Sequence, residues 1–438
     1  MPIVANLVHR PASRSKVVPH QNKTKQNHAA KTAPANPMMA PTEATPLVAV
    51  IGVGFVGTGL VDSFSSKYEI MGFDISEDRL DFLRGEFSTR PNVSFTSNES
   101  DLGKATHFLI SVPTLLRSDR TIDLSYLRSA LRRVEQWARP GCTVVIESSV
   151  SVGLTRQLLG PIAKAKGLFA GMSPERIDPG RVEPPMRSIP KVVSGLDDVI
   201  PGSLDAVVRL YGRVFDRIVP VSKPEVAEMC KLYENCQRMM CIAYANEMAD
   251  ACKDLGIDAF EVSRAAATKP FGYMPYTPSL GVGGHCIPVN PYYLLSNCEF
   301  PLLEACADKM NKRPATQAQK IVDELHNNTS KTKRRDSGIE LSKRILVVGM
   351  GFKAGQDHLV NSPGLQLARE LQMLSMDVTF ADSLVKQTAV PEIPRLADED
   401  WTKEELDGFD MIVVSFKQWG MDFDVLDQVS VPVQMWCQ

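Results

Sequence analysis

Apolar residues in this chain fall into runs of two alternating kinds. Short blocks of aliphatic residues read as buried strands: Leu47 to Ile51, Glu69 to Phe73, His107 to Val112, Thr143 to Glu147 and a short one near Leu168. Helical patterns lie between them, one after Gly57 and one from Leu124 to Trp137. This βαβ alternation predicts a doubly wound parallel sheet with ligands at the carboxyl ends of its strands. From Lys223 to about Asp254 the pattern becomes one long helix, opened by Pro224 and stopped by Gly256. Glu228, Lys231, Asn235, Arg238 and Ile242 share one stripe of it, while Met229, Leu232, Met239, Met240 and Ala243 make the other sides apolar. A polar stripe on a largely apolar helix predicts a polar cavity, with the lysine and asparagine turned toward a ligand. A further helix is expected from Pro314 to His326, followed by the polar, basic stretch HNNTSKTKRRDSG. At Lys343 a second βα pattern begins with KRILVVGMGFKAG, then a helix from Ser362 to Leu374 and strands from Asp377 to Ala381 and Met411 to Ser415.

The expected fold is therefore α/β, with two Rossmann-like doubly wound parallel-sheet domains joined by a helical middle. The boundaries read as 46–221, 222–326 and 343–438, with a linker at 327–342. Residues 1–45 differ from the rest, carrying six Lys or Arg against the single acid Glu43, and read as a disordered basic tail. The length, 438 residues, suits two or three domains. A formal charge of −2, with 44% apolar and 23% charged residues, is that of a soluble globular protein, and no apolar run approaches the ~18 residues of a membrane span. The basic run Lys331 to Arg335 is short and reads as solvated linker, so no nucleic-acid partner is expected. Nine scattered cysteines without CxxC pairing, behind no signal-peptide pattern, argue against a disulfide framework or a metal site and for the cytoplasm.

Two stretches carry chemistry. Gly52, Gly54 and Gly57 stand at G-x-G-x-x-G spacing directly between a strand and a helix. They permit a tight turn, close approach of a pyrophosphate, and helix packing on the strand. The next strand ends at Asp74, about 20 residues on, where a carboxylate accepts ribose hydroxyls and repels a 2′-phosphate, favouring NAD over NADP. The second stretch is LGVGGHCIPVNPYYL, Leu280 to Leu294, which sets Cys286 between a glycine turn and two prolines. A thiol on stiff backbone can carry an acyl intermediate, although cysteine is also a common small core residue. Thr114, Glu147, Glu175 and Arg176 lie at expected strand ends, where turn chemistry alone could also place them. In the second βα unit Gly349 and Gly351 lack a third glycine at nucleotide spacing, while Lys353 offers a charge for a phosphate or a sugar oxygen.

GVGFVG, SVPT, ESSVSVGLT, SPERIDPG, IPKVVSG, EVAEMCKLYEN, KPFGYMPYTPSLGVGGHCIPVNPYYL and GMGFKAGQDHLVNSP, in this order, resemble the UDP-glucose/GDP-mannose dehydrogenase family over residues 46–438. The PERIDPG and GGHCIP forms are most similar to its UDP-N-acetylhexosamine branch. The resemblance implies oxidation of a nucleotide sugar at C6 from alcohol to carboxylate with two NAD, in a homodimer formed through the central helix. It implies Cys286 as nucleophile, Lys231 and Asn235 as oxyanion donors, Glu175 in acid–base work and Thr114 as the residue that positions water. The expected NAD contacts are Gly52, Gly54, Phe55, Val56, Gly57, Asp74, Arg79, Val112, Pro113, Thr114 and Glu147. Those for the nucleotide sugar are Glu175, Arg176, Lys231, Asn235, Arg238, Gly281, Gly283, Gly284 and Lys353. Asn290 replaces an aspartate of the family pattern, Val360 replaces an arginine, and Ser279 interrupts its Pro-Gly-Pro-Gly stretch. Asn290 predicts a slow or reassigned hydrolytic half. UDP-glucose or GDP-mannose is the alternative substrate, and a nucleotide-sugar-binding regulator without the second oxidation is the alternative of another class.

Overall fold

The computed structural model describes residues 46–178, 181, 183–329 and 342–437; the tail 1–45 and linker residues 330–341 lie outside the described residues. The first sheet contains β1 (Leu47–Ile51), β2 (Glu69–Phe73), β3 (Val93–Thr96) and β4 (His107–Ile110). A small antiparallel hairpin of β5 (Leu115–Leu116) and β6 (Ile122–Asp123) leads to β7 (Thr143–Ile146), β8 (Phe169–Met172), β9 (Lys191–Gly195) and β10 (Ile218–Pro220). Strand order is β10-β9-β8-β7-β4-β1-β2-β3, parallel throughout except where β9 runs against β8. β4 stops two residues short of the expected Val112. The Ser111 hydroxyl there donates to the Gly52 carbonyl, and Pro113 has no N–H to continue a ladder.

Helices cover both faces: α1 (Phe55–Phe64), α2 (Glu77–Glu86) and α5 (Ser203–Tyr211) on one, α3 (Ser125–Trp137) and α4 (Leu154–Lys166) on the other. This is why the strands read as unbroken apolar blocks: Val48 to Ile51 are buried on both faces, as a covered parallel sheet requires. The order reverses between β1 and β4, which opens the crevice at their carboxyl ends.

The middle is α6 (Pro224–Asp254), α7 (Ala259–Ala267), α8 (Asn290–Leu295) and α9 (Pro301–Thr329). α6 matches the expected long helix. Its Leu232, Met239 and Ala243 are buried, whereas Met229 is 37% exposed. The helix expected from Pro314 instead begins at Pro301 and runs through Pro314. Proline favours a first helical turn, so Pro314 reads as a start. Leu303, Ala307 and Met310 form a buried stripe upstream, and Arg313 grips Asp250 of α6 through bonds of 2.9 and 3.0 Å, which outweigh the amide bond that proline removes.

The second sheet is β11 (Arg344–Val348), β12 (Asp377–Ala381), β13 (Met411–Val414) and β14 (Val433–Met435), all parallel in the order β12-β11-β13-β14. It packs with α10 (Pro363–Met373), and α11 (Lys403–Leu406) lies nearby in sequence. The third-glycine role absent from its glycine turn falls to Gly364, where a Cβ would lie 2.3 Å from the Gly349 carbonyl. Asp382 after β12 accepts from Met350, Leu384 and Val385 amides and from Gln418. Its oxygens are thus committed to the fold, in keeping with the absence of a second dinucleotide pattern.

Candidate active site

At the β1–α1 turn Gly52 has φ 87°, a left-handed conformation suited to glycine. A Cβ on Gly57 would lie 2.0 Å from the Gly52 carbonyl, so helix and strand meet only because none is there. At Gly54 a Cβ would meet nothing within 4 Å, so the turn is open where a pyrophosphate would approach, at the N-terminus of α1. Asp74 accepts from the Val53 amide at 3.0 Å and the Ser76 amide at 3.1 Å. Each oxygen keeps a lone pair for a ribose hydroxyl. Arg79 donates to the Val53 carbonyl (3.0 Å) and the Thr58 hydroxyl (2.9 Å), which puts its guanidinium on the turn that Asp74 holds. Phe55 is half exposed at the mouth. Val112 lies against Gly52, and the crevice floor is laced by Ser148 donating to the Val112 carbonyl and Thr114 to the Ser149 carbonyl. These groups fit NAD. In competition, NAD is expected to outcompete NADP at least tenfold, about 1.4 kcal/mol; equal use would remove Asp74 from the ribose.

α6 sorts its polar stripe. Glu228 is turned away from any ligand, accepting the Gly153 and Thr155 amides at 2.6 and 2.8 Å, and so caps the start of α4. Lys231 is 8% exposed, and among the described residues no carboxylate pairs with its ammonium. A buried lysine without a carboxylate partner is costly to the fold and marks a site for negative charge. One turn on, buried Asn235 donates to the Asn290 side-chain carbonyl at 2.5 Å. The Asn290 backbone N–H donates to the Cys286 backbone carbonyl at 2.9 Å. Half-buried Cys286 is thereby anchored to the helix that carries Lys231. Burial pushes the neighbouring Tyr293 hydroxyl up to about 12, with Thr114 and Cys286 both acting on it, so the end of β4 and the cysteine loop meet at this tyrosine. Arg238 is half-buried near Tyr276.

The glycines before Cys286 face the C-terminal region. A Cβ on Gly283 would be 2.9 Å from Phe352 and one on Gly284 3.0 Å from its ring, while Gly281 packs on Pro363. The Val360 carbonyl accepts the Gly284 amide at 3.0 Å. Ser279 donates its amide to Asn246 of α6 at 2.7 Å and so secures the loop to the long helix. Lys353 pairs with Asp178 at 2.9 Å, joining the second βα unit to the loop after β8.

That loop carries Glu175 and Arg176. Arg176 pairs with Glu234 of α6 at 2.6 Å, which ties the loop to the turn holding Lys231 and Asn235. Glu175 is buried, and so is Glu147, whose oxygens are taken by Lys191 at 2.7 Å and by the Tyr211 hydroxyl. The buried pairing of Lys191 and Tyr211 with Glu147 is not legible in the sequence, where residues around Pro184 to Lys191 are expected only to shape the sugar pocket; the one signal is a lysine opening an otherwise apolar strand, IPKVVSG. No cluster of three or more metal-ligating side chains occurs among the described residues.

Residues 46–214 match the NAD binding domain of the UDP-glucose/GDP-mannose dehydrogenase family, and residues 225–312 match its central domain. A Pseudomonas aeruginosa protein named UDP-N-acetyl-D-glucosamine 6-dehydrogenase is 33% identical over 360 residues, 77% of this chain and 83% of the relative. A Pyrococcus horikoshii UDP-N-acetyl-D-mannosamine dehydrogenase is 30% identical over 396 residues, 84% of this chain and 88% of the relative. A solved UDP-D-ManNAc dehydrogenase from Pyrococcus horikoshii superposes with a TM-score of 0.77 at 25% identity, covering 89% of this chain and 99% of that one. The open glycine turn beside Asp74 and these matches lead to one conclusion: the chain belongs to the UDP-glucose/GDP-mannose dehydrogenase family and is an NAD-dependent nucleotide-sugar dehydrogenase.

Proposed function

We propose that the protein is a UDP-sugar 6-dehydrogenase that oxidises a UDP-N-acetylhexosamine, such as UDP-N-acetylmannosamine, from alcohol to carboxylate, with Cys286 holding the substrate between the two oxidations. The observation that carries this reading is the chain of contacts from Cys286 through Asn290 to Asn235, one turn from the buried, carboxylate-free Lys231. NAD bound in the β1–β4 crevice supplies the acceptor for the hydride that leaves C6 in each oxidation. Lys231 and the Asn235 amide stabilise the negative oxygen as the alcohol gives up its proton to solvent water. The Cys286 thiolate then adds to the aldehyde carbon, and the same donors hold the thiohemiacetal oxygen. Loss of the second hydride leaves a thioester. Water positioned by Thr114, with Glu175 taking its proton, releases the carboxylate and restores the thiol. Residues 46–221 would bind NAD, 222–326 supply the covalent chemistry, and 343–438 close over the nucleotide through Lys353.

The relatives' names support the N-acetylhexosamine, since UDP-N-acetylglucosamine and UDP-N-acetylmannosamine are the substrates they state. Turnover of UDP-N-acetylmannosamine, UDP-N-acetylglucosamine, UDP-glucose and GDP-mannose with NAD tests it. An N-acetylhexosamine is expected to lead in kcat/KM by at least tenfold; a lead for UDP-glucose or GDP-mannose would displace it. The nine thiols, none in a disulfide, suit a reducing cytoplasm.

The protein would act as a homodimer through α6. Val226, Met229, Tyr233, Tyr244 and Met248, at intervals of three, four, eleven and four residues, fall on one side of the helix, away from Lys231, and Tyr233 is 73% exposed. α7 has no buried residue at all. Sedimentation should show a dimer for the wild type and a monomer for Tyr233→Glu with Tyr244→Glu. A wild-type monomer would refute the interface.

A further inference from the structure

Beneath the loop that carries Glu175 lies a buried set of charges that the oxidation scheme does not use. Lys191 opens β9 with its ammonium 2.7 Å from Glu147 at the end of β7 and 3.2 Å from Glu175. It also donates to the Pro174 carbonyl at 3.4 Å. The Tyr211 hydroxyl at the end of α5 donates to the other Glu147 oxygen. Lys191 is 3% exposed, Glu147 1% and Tyr211 0%. Apolar side chains would fill such a place at no cost in desolvation, so stability alone is a poor reason for ions here.

The network points to the loop. The second Glu175 oxygen accepts the amides of Arg176 at 2.5 Å and Ile177 at 2.9 Å, curling the loop about its own carboxylate. Arg176 donates to the Pro190 carbonyl at 2.9 Å, immediately before Lys191, and pairs with Glu234. Strand β9 and the loop are thus joined at Glu175, Pro174 and Arg176, with Lys191 making two of those three joins.

We propose that Lys191 is a positioning residue: bonded at once to Glu147 at the strand end and to Glu175 in the loop, it sets where the Glu175 carboxylate lies against the bound sugar. This rests on the acid–base role given to Glu175 in the reading above. Without the ammonium, Glu175 loses the side-chain cation that pairs with it among the described residues and sits near Glu147, a like charge in a dry setting, so the loop must shift or a carboxyl must take a proton.

Titration reports on the network independently of the fold. Burial pushes Glu147 up to about 7; Lys191 pulls it down and Glu175 pushes it up. The groups facing it are Lys191 from β9, Glu175 from the loop and Tyr211 from α5, whose hydroxyl burial holds well above its ordinary value. Because the folded value of Glu147 lies above the ordinary carboxyl value, its contribution to stability is present at acid pH and is lost as pH rises through about 7. As it gains a proton, the Lys191 charge is left to Glu175 alone, so turnover should change across the same window.

The test uses the full chain, NAD and whichever nucleotide sugar the wild type turns over. Lys191→Met should lose at least tenfold in kcat while the KM for NAD stays within twofold, and Lys191→Arg should recover at least threefold of that loss. Glu147→Gln, which keeps an acceptor for Tyr211 and also serves if Lys191→Met does not fold, should flatten the step near neutral pH in the kcat profile. A folded Lys191→Met with kcat within twofold of wild type, or a Glu147→Gln profile that matches wild type, overturns the inference alone. A wild type that oxidises no nucleotide sugar overturns the dehydrogenase reading, and the inference with it.

Discussion

Replacing Cys286 with serine is expected to abolish sustained turnover while leaving a folded protein that binds NAD and nucleotide sugar. The hydroxyl is nearly isosteric with the thiol, and the site is half-buried rather than sealed in a core, so packing changes little. An alcohol is a far weaker nucleophile than a thiolate and a far worse leaving group from an ester. The first oxidation does not need the sulfur, so the variant should release at most about one NADH per site and then stall, or accumulate a slow ester. Asn290 sharpens the wild-type behaviour. It is 1% exposed, bonded to Asn235 and carries no titratable group, so on the proposed route thioester hydrolysis would fall to Glu175 and its water. Rapid mixing should therefore show a burst of NADH before a slower steady rate, with sugar mass on Cys286 during the burst. Unchanged steady-state turnover in Cys286→Ser would reduce the cysteine to packing.

Lys231→Ala is expected to lower kcat by about a hundredfold, the loss typical of removing one oxyanion donor. Thermal or denaturant stability should not fall by more than about 1 kcal/mol. The separation follows from the surroundings: an ammonium that is 8% exposed and has no carboxylate partner among the described residues leaves no orphaned charge behind when removed. A buried structural pair would show the reverse, as removal of Arg313 should, since its guanidinium grips Asp250 at 2.9 and 3.0 Å. Normal activity in Lys231→Ala would return the polar stripe of α6 to solvent chemistry.

Periodicity made much of this molecule legible. β1, β2 and β12 fall where the pattern places them, and in β1 and β2, covered on both faces, no polar residue interrupts the apolar block. α6 was visible from its opening Pro224 and its stripe. Legibility failed where a local signal has two meanings. Pro314 marks a helix start in most contexts, yet here it sits inside α9, held by contacts with α6 that only the folded chain reveals. β9 runs against β8 and β10 has only three residues, so no βαβ rhythm announced them. The candidate site divides the same way. Cys286, Lys231 and Asn235 stand in motifs, but Glu228 on the same stripe caps α4, which spacing cannot reveal. The role of Lys191 was not legible, because what matters about it is the pair of carboxylates delivered from 44 residues before it and 16 residues before it. The glycines ahead of Cys286, expected to contact the nucleotide sugar, lie in this fold against Phe352 and Asn361 of the C-terminal region, which no local spacing announces.

Counting NADH against product tests the central claim most directly. The wild-type protein, incubated with excess NAD and a limiting amount of UDP-N-acetylmannosamine or UDP-N-acetylglucosamine, should release two NADH for every sugar consumed and convert C6 to a carboxylate. One NADH per sugar with free aldehyde as the end product, or none with any UDP-hexose or UDP-N-acetylhexosamine, would contradict a covalent two-step oxidation at Cys286.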